Sequence, residues 1–100
     1  MVPPVPGAFV INVVDLIHIL SNRLYLPALH RAVVNRTRHR LSIACLYGPP
    51  EHSQIAPLSK LVGSSHPLLY PTVIWNEYIV LKVKFNDKTL PSLRLGAPLN

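Results

Sequence analysis

The sequence predicts a mainly β chain closed by one C-terminal helix. Three observations carry this expectation. Residues 8–14, 29–34 and 41–47 are runs of β-branched, aromatic and other apolar side chains, each bounded by turn chemistry. The run 74–84 instead places Trp75, Tyr78, Ile79 and Leu81 at helical spacing, with Lys82 and Lys84 near its end where cations suit the helix dipole. Charged residues make up only 14% of the 100 residues, against roughly 25% in an ordinary soluble domain, so few are present to cover a surface. The chain therefore reads as the interior half of a larger domain.

The elements follow in order. MVPPVPG opens the chain, and its prolines have fixed φ and no N–H, so it is expected to be extended and outside any ladder. AFVINVV reads as a buried strand. Asp15 is placed to cap a short helical turn, LIHILSN, in which Leu16, Ile19 and Leu20 share a face and which Pro27 ends. Residues 29–34 form the second expected strand, Asn35 to Arg38 a turn, and residues 41–47 the third strand, stopped by Gly48-Pro49-Pro50. Residues 51–72 read as loop, punctuated by Pro57, Gly63, Pro67 and Pro71. Residues 74–84 read as the helix, although Val80 and Val83 also fit a strand, and residues 91–100 as a tail. No internal repeat or linker divides the chain, so one domain part covers residues 1–100: barrel strands over about 8–50, loop over 51–72, helix and tail over 73–100.

The net charge is +6, from ten Lys/Arg against Asp15, Glu51, Glu77 and Asp87. Arg31, Arg36, Arg38, His39 and Arg40 bunch together. No aromatic residue interleaves them, so the cluster reads as a solvated hairpin tip plus one buried arginine rather than a nucleic-acid surface. Cys45 is the single cysteine. It excludes a disulfide framework, fits a reducing compartment, and reads from its apolar neighbours as a small buried hydrophobe. The apolar stretch 8–20 contains Asp15 and His18 and is too short and interrupted to span a bilayer; with no signal-peptide pattern, a cytoplasmic location is expected.

His30, Arg40 and Ser42 carry the candidate chemistry. A neutral imidazole suits ferrous iron, a guanidinium offers a planar fork that grips a carboxylate, and a hydroxyl two residues on donates to the same group. Alternation along a strand puts Arg40 and Ser42 on one face. His30 joins them only if the hairpin pairs residues whose numbers sum to an even value, which an odd loop provides. From spacing alone, a core histidine and a surface arginine are the better explanation of the same residues.

The text around the trio resembles a known family. PPVPGAFVINVVDLIHILSN, LHRAVVNRTRHRLSIACLYGPP, IAPLSKLV, HPLLY and WNEY, in this order, are similar to the C-terminal portion of plant 2-oxoglutarate/Fe(II)-dependent dioxygenases. VVNRTRHRLSIA and PLSKLVG bring it nearest to the members that hydroxylate gibberellins at the 3β position. The resemblance implies the later strands of a double-stranded β-helix, or jelly roll. It implies that His30 is an Fe(II) ligand and that Arg40 and Ser42 bind the far carboxylate of 2-oxoglutarate. It also implies a gibberellin precursor as small-molecule substrate, with ascorbate as an accessory.

The departures are specific. The family's His-x-Asp iron ligands do not occur in these 100 residues, so the isolated polypeptide is expected to be inactive. Val14 stands where a glycine is usual, Arg23-Leu24 where Gly-Arg or a similar pair is usual, and Pro71-Thr72 where Arg-Pro is usual. Other plant dioxygenases, including flavonoid-type enzymes, share the His and Arg-x-Ser. A non-catalytic interaction fragment, pairing its open edges with complementary strands or itself, is the alternative of a different class.

Overall fold

The computed structural model describes residues 2–96. Its folded part begins where the chain can satisfy its own backbone. Helix α1 spans Asp15–Leu20. It ends in a left-handed turn closed by two bonds, Asn22 N–H to the Ile19 carbonyl at 3.0 Å and Arg23 N–H to the His18 carbonyl at 2.9 Å. Asn22 and Arg23 both have positive φ, 50° and 74°. Asparagine is at ease there; arginine is not, and glycine is the residue that such a backbone favours.

The C-terminal half forms a clasp around α1. Strand β1 (Gln54–Ile55) pairs antiparallel with β2 (Val73–Ile74), joining Gln54 to Ile74 and Ile55 to Val73. A 3₁₀ turn at Ser59–Leu61 lies between them, and the Leu58 N–H ties this segment to α1 through the Leu20 carbonyl at 2.9 Å. The expected loop over 51–72 is therefore ordered by these contacts. Helix α2 spans Trp75–Phe85, one residue along from the expected helix. Its first turn has no side-chain cap. The N–H groups of Trp75 and Asn76 donate instead to the carbonyls of Ser53 and Glu51, each at 2.9 Å, which meets the need of a helix start for acceptors. Asn86, at φ 55°, turns the chain into α3 (Thr89–Leu93). Part of the expected tail is thus helical, and residues 97–100 lie outside the described residues. Thr89 is fully buried, and its hydroxyl donates to the carbonyls of Asn86 and Leu81.

Ile19, Ile55, Tyr70, Tyr78 and Leu90 form the core, with Leu16, Leu20, Leu69, Val73, Trp75 and Leu93 packed against it. His18 is buried among them. Its Nδ1 bonds the Tyr25 carbonyl at 2.8 Å, so in the neutral ring Nε2 accepts from the Tyr70 hydroxyl at 2.7 Å. Burial pushes the Tyr70 phenol above its ordinary range, against the pull of Arg94 and Arg23.

The three expected strands at 8–14, 29–34 and 41–47 require correction. Among the described residues they belong to no ladder and no helix. Phe9, Leu29, Leu41 and Tyr47 are all at least 90% exposed. Cys45, expected to be buried, is exposed, and so are Arg31, Arg36, Arg38 and Arg40, among which one buried arginine was expected. The physical reason is common to all three segments: a strand satisfies its backbone and buries its face only against other strands, and these segments find none here. They leave the molecule elongated. Its radius of gyration is 16.4 Å, where about 13 Å is usual for 100 residues.

Candidate functional site

The arm built by residues 27–48 leaves and rejoins the folded part beside α2. Gly48 lies against Trp75 so closely that a Cβ there would sit 3.2 Å from the indole nitrogen. Trp75 in turn stacks on Tyr78, with ring centres 5.4 Å apart and planes 10° off parallel. Between the two ends of the arm and α2 opens a cleft of about 720 Å³, lined by Leu29, His30, Tyr47, Trp75, Tyr78 and Lys82 among others.

His30 is the expected site residue that reaches this cleft. Its ring is exposed, and its Nδ1 is 2.8 Å from the Ala28 carbonyl. A carbonyl only accepts, so Nδ1 carries the proton in the neutral ring and the Nε2 lone pair is left to act as a ligand. Fixing the tautomer through the second ring nitrogen is how ligand histidines are oriented.

Arg40 and Ser42 lie elsewhere. They do not line the cleft. Arg40 is exposed and uses one guanidinium N–H on the Val33 carbonyl at 3.0 Å. The turn that joins the two arms is well formed: the Asn35 side-chain oxygen accepts from Thr37 N–H at 2.9 Å and Arg38 N–H at 3.2 Å. Beyond it, no backbone hydrogen bond among the described residues joins 29–34 to 41–47, so no register brings the trio to one face. The loop parity that would decide their convergence is not expressed without a ladder.

The floor of the cleft holds a group that the sequence reading assigned differently. Asp15 does not cap α1; Val14 holds that position and no side chain bonds there. Its carboxylate accepts a short hydrogen bond from the Tyr78 hydroxyl and pairs with Lys82 Nζ at 2.8 Å. Tyr78 and Lys82 are four apart on α2 and so project from one face. That spacing, opposite a single acidic residue upstream, is the signal that was there to be read. Burial, reinforced by the bond to Asp15, raises the Tyr78 phenol far above the usual tyrosine range. Lys82 is about a third exposed (36%), so its ion pair with Asp15 is worth no more than about 1 kcal/mol.

A resident iron is tested by the donor set. No group of three or more His, Cys, Asp or Glu side chains converges among the described residues. His30 offers one imidazole, and a facial triad needs a second imidazole and a carboxylate. The chain alone does not fit an iron site; it fits one ligand of one.

Residues 1–49 match the 2OG-Fe(II) oxygenase superfamily. Over this stretch the chain is similar to that superfamily, whose members use Fe(II) and 2-oxoglutarate. It is 54% identical over 99 residues to gibberellin 3-beta-dioxygenase 1 of Pisum sativum, a match covering 99% of this chain and 26% of the pea protein. It is 47% identical over 100 residues to gibberellin 3-beta-dioxygenase 4 of Arabidopsis thaliana, of which it covers 28%. Gibberellin 3-beta-dioxygenase 2-3 of Triticum aestivum is 45% identical over 96 residues. The chain spans about a quarter of the length of these relatives. No helix among the described residues is long and apolar enough to cross a membrane.

Proposed function

We propose that this chain supplies part of the site of a gibberellin 3-beta-dioxygenase-like enzyme. His30 provides one iron ligand through Nε2, and Arg40 with Ser42 hold the far carboxylate of 2-oxoglutarate. Iron would supply the oxidising chemistry when bound. A gibberellin precursor is the substrate of the whole protein, with ascorbate as accessory and the cytoplasm as location. The observation that carries this reading is the imidazole of His30, with Nδ1 tied to a carbonyl and Nε2 left on the rim of the one cleft that α2 and the arm share.

The expected strands take their place in the superfamily's jelly roll when partner strands are present. Their exposed apolar runs support this reading. The same exposure supports the second reading, a fragment that associates through its open segments with complementary strands or a second copy.

Grafting separates the possibilities. The matching segment of the Pisum sativum enzyme is replaced by this chain, and succinate production from 2-oxoglutarate is measured with a gibberellin precursor. Turnover that His30→Ala abolishes is the expected result. Arg40→Lys should raise the KM for 2-oxoglutarate about 10-fold or more, because one ammonium replaces a planar fork. An active graft indifferent to both substitutions overturns the assignment. The 100-residue polypeptide with added Fe(II), by contrast, is expected to form no succinate; clear formation refutes that expectation.

A further inference from the structure

A second cleft, also about 720 Å³, shares no lining residue with the one that holds His30. Arg23 lines it from the turn after α1; Lys60, Ser65 and His66 line it from the segment between β1 and β2. No Asp or Glu lines it. Among the described residues the ion pair found is that of Lys82 with Asp15, so neither cation here is neutralised by a partner. Leu24 and Leu69 add apolar surface beside the charges.

The two walls are fixed to each other by one buried side chain. Asn22, 9% exposed, donates to the Pro67 carbonyl at 3.0 Å and the Leu61 carbonyl at 3.4 Å, and its oxygen accepts from the Leu69 N–H at 2.9 Å. Gly63 and His66 close the loop between them with reciprocal backbone bonds of 2.8 and 3.2 Å. Ser65 Oγ and His66 Nδ1 are hydrogen-bonded at 3.1 Å. Arg23 itself sits at φ 74°, a left-handed conformation that a bulky side chain avoids unless its surroundings impose it. Arg23 and Lys60 thus line one cleft, the first from a strained turn and the second from a segment braced by Asn22.

We propose that this cleft binds a phosphate monoester bearing an apolar group. The guanidinium fork of Arg23 and the charge of Lys60 meet the phosphate oxygens. The Ser65 hydroxyl and the His66 ring, bonded to each other, add further polar groups to the same lining, and a dianionic phosphate draws more from two cations than a singly charged carboxylate does. Leu24 and Leu69 receive the apolar group. Bracing by Asn22 reduces the ordering cost of binding. The site is independent of the iron and 2-oxoglutarate reading.

The test uses the 100-residue chain, nitrogen-15 labelled, titrated with phenyl phosphate. Saturable amide shifts confined to residues 22–24 and 60–69, with Kd on the order of 1 mM, are expected, with weaker binding of inorganic phosphate. Arg23→Gly removes the guanidinium and suits the left-handed backbone, so the variant should melt no lower than the parent while binding about tenfold more weakly. Lys60→Gln should weaken binding similarly without touching that turn. Unchanged affinity in both variants overturns the site. Benzoate binding as tightly as phenyl phosphate overturns the phosphate assignment. Sedimentation with phosphatidic acid vesicles in the absence of a phenyl phosphate response overturns the small-molecule assignment.

Discussion

The clasp formed by α1, β1, β2, α2 and α3 and the arm of residues 27–48 are built from similar apolar residues, yet only the clasp buries them. Ile19 is 1% exposed and Leu29 is 99% exposed. The difference is where each backbone finds its hydrogen bonds. Helices close their own, and the free ends of α1 and α2 reach acceptors and donors in the clasp itself. The arm has turn chemistry at Asn35 but no neighbouring strand, so apolar character alone does not bury it. The contrast shows that apolar pattern selects a face, and partners decide whether that face is covered.

The largest effect should come from the clasp core. Ile19→Ala should cost about 2–5 kcal/mol in chemical denaturation, through lost transfer energy and a residual cavity. A cost under about 0.5 kcal/mol would dissolve the distinction between the two regions.

Tyr70→Phe should cost about 1–3 kcal/mol, because it strands the Nε2 atom of buried His18 without its donor. The matched change Tyr47→Phe in the arm should be neutral in the same assay.

High pH should act on the clasp as well. Tyr70 and Tyr78 both have phenols raised in the folded state, so folding favours their protonated forms. That contribution is complete below the ordinary tyrosine pKa of about 10 and is lost as pH rises above it. The melting temperature should therefore fall from pH 9 to 11.5, and Tyr78→Phe should flatten the fall. An unchanged pH profile in that variant would show that Tyr78 is not responsible.

The smallest effect is expected in the arm. Leu29→Ala and Leu41→Ala should each change stability by less than about 0.5 kcal/mol in this chain. The same substitutions in the grafted pea enzyme should cost more, if partner strands cover them there. Hydrogen exchange sharpens the comparison further: α2 amides should be protected and those of 29–34 and 41–47 should not. Protection in the arm would reveal a ladder.

The helices were legible in the sequence because their signals are local. The spacing of Trp75, Tyr78 and Leu81 marked α2 to within a residue, and that of Leu16, Ile19 and Leu20 marked α1, although it ends at Leu20, well before the expected stop at Pro27. Asp15 is a different case, because its role is set by distant residues. An aspartate before an apolar turn reads as a cap from local sequence, and its true partners, Tyr78 and Lys82, lie more than 60 residues away. The basic cleft was invisible for the same reason. Arg23 and Lys60 are far apart in the chain, and only the tertiary contacts of Asn22 bring their segments together.

His30 stood out by its chemistry and its surroundings, and the structure puts it on a cleft; the company of Arg40 and Ser42 depends on a register that only pairing sets. The sequence by itself determined the resemblance to the dioxygenases, the two main helices, the turn at Asn35 and the absence of a His-x-Asp pair from these 100 residues. Only the tertiary structure decided which apolar runs are buried, what Asp15 holds, and which cations share a cleft. Helices and turns are written in residues a few positions apart, whereas burial, ion pairs and clefts require contacts between distant segments.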